Sequence, residues 1–278
     1  MQKKKLRRRN ALAYIVCTVV TLVHISPLFV VALNALRTND AVTMQGLLGW
    51  PDILHFENFP YVWRIADYFT AYKNSLIIGL AAAFFVMLFT GMAAYGIVKA
   101  NAYGRKFLDG YFIIALSIPY FAMMVPVFYL FYKTGLTNSL LGITLIYIAI
   151  NIPFNFIFVY AYFKGLPRDI DEAARIDGAS ELQNFYYNTL PLAKPIMTSV
   201  LLIVFVNCWN EYMFANLFLQ KSEVLTVALK FNTFVGSHNT EYAYMYAGAM
   251  ITILPIVVMY LLMQNTFIEG MTSGSVKG

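Results

Sequence analysis

The sequence predicts an all-α integral membrane protein with six membrane-spanning helices, and three observations carry that prediction. Hydrophobic residues make up 60 % of the 278-residue chain and aromatic ones 17 %, while charged side chains fall to 12 %, about half the share usual in a soluble domain. The charges are also segregated. They leave uncharged stretches at 12–33, 74–98, 110–132, 134–163 and 242–268, and a sixth, 195–220, is interrupted only by Glu211. Each stretch reaches the roughly 20 residues that a helix needs to cross a bilayer. Lastly, runs such as 80–89 lack the alternating polarity of barrel strands, and lipid offers no partner to an open sheet edge, so the spans are helices. Soluble, disordered, collagen-like and disulfide-framework classes are excluded.

Taken in order, the spans are expected at about 12–35, 74–98, 110–132, 140–163, 196–219 and 245–268, in one transmembrane domain covering 1–278. The first begins after the basic cluster Lys3–Arg9, as a secretory signal would. Its 22 uncharged residues exceed a signal core, and no small-x-small site ends the run before Asn34, so a retained helix is the better reading. His24, Ser26 and Pro27 inside it read as a helix-bending polar group. Aromatic residues crowd the loop that follows, and Phe59, Trp63 and Tyr68 are spaced for a short helix at the headgroup level. A docking surface for an external partner is compatible with the same rings.

Six spans put both ends on one side, and the basic residues say which. Fourteen of the 20 Lys and Arg fall on the amino-terminal side and six on the other, which places both ends in the cytoplasm. The formal charge of +6 therefore records membrane orientation. No basic stripe interleaved with aromatics exists to suggest a nucleic-acid partner. Cys17 and Cys208 sit inside spans, the three histidines are scattered, and no metal-ligand spacing occurs; the cysteines read as small buried hydrophobes.

The segment 164–194 is the longest cytoplasmic loop and the most informative. Pro167 suits the start of a helix whose first turn carries Asp169, Asp171 and Glu172, acids that complement the amino-terminal dipole. Gly178 is placed to stop that helix in a left-handed cap. Ser180 is placed to cap a second helix running to a break at Leu190-Pro191. Ala173, Ala174 and Ile176 leave a shallow apolar surface that another protein could cover.

This loop resembles a known signature. Glu172, Ala173 and Ala174, then Gly178, then Leu190 and Pro191 match the spacing Glu-Ala-Ala, three residues, Gly, nine residues, aliphatic, any, Leu-Pro, with Asn188 in the aliphatic place. The pattern is similar to the loop of permease subunits in binding-protein-dependent ATP-binding-cassette importers. The run from Arg175 to Ala179 resembles the sugar-importing branch, as does Trp209-Asn210-Glu211-Tyr212, and the tail 270–278 is similar to that of maltose-type permeases of the second kind. The resemblance implies a type I importer fold, with Glu172, Ala173, Ala174, Asp177, Gly178 and Ala179 forming a coupling helix against a cytoplasmic ATPase dimer. It also implies a second permease subunit, an extracytoplasmic solute-binding protein and a sugar substrate. No cofactor is expected in this chain, with ATP and Mg²⁺ held by the ATPase. The sequence agrees, for it contains no Gly-x-x-x-x-Gly-Lys-[Ser/Thr] phosphate loop.

Polar groups inside a span are costly and mark candidate function. Asn207, Asn210 and Glu211 are expected on one face of the fifth helix, and Asn151 and Asn155 on one face of the fourth, with Pro153 bending it between them. Amides and a carboxylate suit sugar hydroxyls, which both donate and accept, while Trp209 and Tyr212 offer ring faces. The competing reading of the asparagines is hydrogen bonding between helices. For the chain as a whole the alternative is an ion-coupled secondary transporter, which usually shows repeated halves and an intramembrane ion site. No span holds a nucleophile–base pair or metal cluster, so the chain is not expected to be an enzyme and no catalytic residue is assigned.

Overall fold

A computed structural model describes residues 2–100, 103, 105–238 and 240–273. The tail residues 274–278, part of the maltose-type resemblance, lie outside the described residues. In chain order the helices are α1 (Gln2–Ala35), α2 (Asn39–Gln45), α3 (Asn58–Ile65), α4 (Tyr68–Val98), α5 (Arg105–Ser117), α6 (Met124–Lys133), α7 (Leu140–Gly165), α8 (Asp169–Ile176) and α9 (Glu181–Asn184). They continue with α10 (Leu190–Leu192), α11 (Lys194–Asn210), α12 (Met213–Phe218), α13 (Val227–Ser237) and α14 (Tyr242–Ser273). No strand occurs among the described residues.

Among those residues four helices are long and apolar enough to cross a bilayer: Ala13–Ala35, Tyr68–Val98, Leu140–Gly165 and Tyr242–Phe267. Two bent pairs bring the count to six when each pair is one span. The expected third span, 110–132, is therefore not one straight helix. α5 stops at Ser117, a 3₁₀ turn covers Tyr120–Met123, and the two halves meet at 81°. Pro119 explains the break: it lacks an N–H and pushes Ile118 out of helical geometry.

The fifth span departs at both ends. Its helix enters through an 80° bend after Leu192 and stops at Asn210, with Glu211 extended (φ −68°, ψ 126°) before α12 begins. Leu190-Pro191 does not end the preceding helix. The turn Phe185–Thr189 is π-helical, with the Leu190 N–H reaching the Phe185 carbonyl, and this wider turn carries the chain through Pro191 and on to Leu192.

The chain forms two compact units. One comprises the chain up to Tyr68 with Phe231–Leu254, the other Phe69–Lys230 with the chain from Pro255. In the first, the apolar window of α1 is left uncovered by the rest of the chain, as suits a lipid-facing or subunit-facing helix. Arg37 closes the turn after α1. It is fully buried, and its two terminal nitrogens donate to the Asn34 side chain, the Gln45 side chain and the Ala41 and Gly46 carbonyls, all neutral acceptors. A short helix does form here as α3, but it ends at Ile65 and holds only Phe59 and Trp63 of the three expected rings, Trp63 being 36 % exposed. Tyr68 is buried, stacks on Trp63 and bonds the Gly248 carbonyl.

In the second unit α4, α7 and α11 make the core. Val86, Ile143, Tyr147, Phe156, Phe163, Val200 and Phe205 are all buried there. Gly79 on α4 faces Phe205 so closely that an added Cβ would lie 2.9 Å from the ring. This glycine thus permits the close approach of backbone and ring. On the other side of α7, Phe112 stacks on Phe156 with ring centroids 3.7 Å apart.

Candidate functional site

The second unit holds two polar assemblies, one in the middle of the spans and one on the loop between α7 and α11. The first is a cleft of about 480 Å³ between the Tyr120–Met123 turn, α7 and the broken end of α11. Asn151, Asn207, Asn210, Glu211 and Tyr212 all line it, together with Tyr147 and Phe121. Two helices present the amides: Asn207 donates to the Asn151 side-chain oxygen at 3.1 Å, and Asn151 donates to the Tyr147 carbonyl at 2.8 Å. Asn210 uses its amide on the Val206 carbonyl.

Three expectations need correction. Glu211 does not share a helix face with Asn207 and Asn210, because α11 ends before it. Its carboxylate accepts the Tyr147 hydroxyl at 2.6 Å and the backbone N–H groups of Phe214 and Ala215 at 2.8 and 3.0 Å. The side chain thus caps α12 and ties the break to α7, satisfying amides that the broken helix would otherwise leave bare. Trp209 offers no ring to the cleft; it is 1 % exposed and packs on Phe205 and edge-on against Tyr72. Asn155 is also off the cleft, fully buried and donating to the Asn151 carbonyl. α7 is a continuous helix through Pro153.

The second assembly is the loop elbow. α8 carries Asp169, Asp171 and Glu172 in its first turn, and Gly178 ends it at φ 85°, in the left-handed region. Ser180 and Gln183 then close a reciprocal capping box at the start of α9, a pairing that satisfies two amino-terminal amides at once. Glu172, Ala173, Asp177 and Gly178 are exposed and Ala179 is half-buried, while Ala174 turns inward at 8 % exposure. The outward apolar surface accordingly rests on Ala173 and Ile176, the latter 86 % exposed, and Ala174 does not contribute.

Asp171 keeps its expected place in the first turn of α8, with its side chain buried. It forms a buried ion pair with Lys99, at 2.7 Å, just beyond the end of α4. Arg175 holds Glu181 through two bonds and donates to the Lys99 carbonyl, and Tyr95 reaches the same Glu181. The neighbouring Glu181 carboxylate pushes the Arg175 guanidinium further up, so it stays charged. Neither Lys99, Tyr95 nor Glu181 stands out in the sequence, and Arg175 does so only within the Arg175–Ala179 run, since the pairings across the assembly span 67 or more residues apart from the local Arg175–Glu181 contact. Among the described residues no group of three His, Cys, Asp or Glu could hold a metal ion.

Residues 87–266, which include both assemblies, match the family described as the binding-protein-dependent transport system inner membrane component. The chain belongs to that family. This inner membrane component is 30 % identical over 266 residues to the melibiose/raffinose/stachyose import permease protein MelC of Bacillus subtilis, covering 95 % of each chain. It is 29 % identical to the arabinooligosaccharides transport system permease protein AraQ of Bacillus subtilis, with 93 % and 92 % covered. Against the trehalose/maltose transport system permease protein MalG of Thermococcus litoralis it is 33 % identical over 78 % of this chain and 80 % of that one. The fold matches a chain in the crystal structure of a bacterial ABC transporter involved in the import of the acidic polysaccharide alginate. The TM-score is 0.79 at 23 % identity, over 94 % and 97 % of the two chains. The family is one of transport permeases and not of enzymes, the three relatives are sugar-transport permeases by name, and the fold is that of an ABC importer permease.

Proposed function

We propose that this chain is one permease half of an ATP-driven importer that carries a sugar or oligosaccharide inward across the cytoplasmic membrane. A second permease subunit completes the pore, a solute-binding protein delivers the sugar, and a cytoplasmic ATPase dimer binds ATP and Mg²⁺. Both ends of the chain face the cytoplasm, on the side of the basic excess. The observation that carries the reading is the cleft in the middle of the spans. It combines the side-chain amides of Asn151, Asn207 and Asn210 with the rings of Tyr120, Phe121 and Tyr212. Amides match hydroxyls that donate and accept, and rings match the C–H faces of a sugar.

In this reading Asn207 and Asn210 meet the passing sugar, while Glu211 and Tyr147 hold the break in the fifth span that shapes the cleft. The elbow at α8 meets the ATPase through Glu172, Ala173, Ile176, Asp177 and Gly178, and the two polar assemblies are the two ends of one stroke. The named relatives, all sugar-transport permeases, support the substrate class. A photo-cross-linker placed at Asp177 in native membranes tests the elbow. It is expected to trap a nucleotide hydrolase, identified by its peptide masses; adducts that contain only other membrane proteins would overturn the assignment.

A further inference from the structure

An ATPase that pushes on α8 moves the pore only if α8 is fastened to a spanning helix. The obvious fastening is weak: α8 leaves α7 through the extended residue Leu166 (φ −73°, ψ 139°), a joint that can flex. A second attachment lies elsewhere. The Lys99 ammonium, 2 % exposed, makes one ion pair and two hydrogen bonds. Their acceptors are the Asp171 carboxylate at 2.7 Å and the carbonyls of Leu166 and Pro167, both at 3.0 Å. The other Asp171 oxygen takes the side chains of Asn184 and Thr189. Around this centre the Lys99 carbonyl receives Arg175, and Arg175 and Tyr95 share Glu181. The end of α4 is thereby bonded to the loop before α8, to α8 itself and to α9.

Resting on the function proposed above, we infer that Lys99 and Asp171 are positioning residues forming a clamp that makes α8 move as one body with α4. The ATPase stroke then enters the membrane along α4 and is not lost at the Leu166 joint. The pair suits this task. Two charges removed from water cannot separate without leaving one of them uncompensated, so the joint resists being pulled apart, whereas an apolar contact slides.

The test uses the importer complex purified from native membranes and reconstituted in vesicles, with two readouts: the ATPase retained per complex, and the ATP hydrolysed per solute taken up. Lys99→Met is expected to keep the ATPase bound and to raise ATP hydrolysed per solute severalfold, because the remaining Asp171 charge is left buried without its partner and the joint loosens. The paired variant Lys99→Cys/Asp171→Cys, on a Cys17→Ser/Cys208→Ala background, serves as a second variant with its own control. It is expected to be uncoupled when open, coupled when bridged by a short bis-thiosulfonate reagent, and uncoupled again on reduction. A merely structural role would not follow the bridge reversibly within one preparation. Normal coupling in Lys99→Met, or a bridged pair that hydrolyses ATP without uptake, would overturn the clamp. A wild-type complex that contains no ATPase would instead overturn the function beneath it.

Discussion

The break in the fifth span gives the sharpest energetic prediction. Glu211 accepts one hydroxyl and two backbone amides, and the Tyr147 hydroxyl supplies the shortest of the three bonds at 2.6 Å. A hydrogen bond to a charged group contributes about 1.5–3 kcal/mol, so Tyr147→Phe, which removes one oxygen and leaves the ring in place, should destabilise by about 2 kcal/mol. Glu211→Gln keeps one carbonyl oxygen and turns the other acceptor into a donor. Whichever way the amide faces, one backbone N–H of α12 loses its partner, a capping loss of about 1 kcal/mol, in addition to the weaker bond to Tyr147. The two substitutions share that bond, so the double variant should fall short of the summed effects by about 1 kcal/mol or more. Stepwise denaturation of the detergent-solubilised chain by dodecyl sulfate, followed by tryptophan fluorescence, measures all four corners of the cycle. Effects that add to within about 0.3 kcal/mol would show that the contact does not hold the break, and the structural role of Glu211 would fall.

Further substitutions separate walls from core. Trp209→Ala should destabilise the fold by about 3–5 kcal/mol because its ring is packed in the core, whereas Asn210→Ala should leave the melting temperature alone and lower uptake; the reverse pattern would return Trp209 to the path. Gly178→Val places a β-branched residue at φ 85°, a strain of about 1–2 kcal/mol or more, and should abolish coupled uptake where Gly178→Asn retains much of it. Equal coupling in both variants would show that the left-handed turn is dispensable. Breaking the Lys99–Asp171 pair on one side should cost about 3–5 kcal/mol of stability, and the double replacement by Met and Leu should recover most of it; a Lys99→Met variant as stable as wild type in a denaturant titration would contradict the burial of the pair.

Much of this architecture is legible in the sequence, because its signals are local. Charge-free runs of more than 20 residues announce the spans, and Gly178 and Ser180 announce a turn and a cap from their own conformational preferences. What the sequence conceals depends on partners distant in the chain. Nothing near Lys99 says that its ammonium meets Asp171, and nothing near Glu211 says that Tyr147 lies opposite. The expectation of one continuous fifth helix failed at Glu211 because hydropathy reports burial in lipid and is silent on backbone breaks. Pro119, by contrast, was a visible signal for the bend in the third span: it follows Ile118 in the middle of an apolar run, where a proline denies the next turn its hydrogen bond. Trp209 shows the complementary error. An aromatic beside polar residues reads as a ligand face, yet on a helix consecutive positions point about 100° apart, and the turn that presents Asn207 and Asn210 to the cleft sends Trp209 into the core.

Uptake by the reconstituted complex, with its binding protein outside and ATP inside the vesicles, tests the central claim most directly. Sugar accumulation that needs internal ATP and persists when ionophores collapse every ion gradient is the predicted result; accumulation driven by a gradient in the absence of ATP would contradict it.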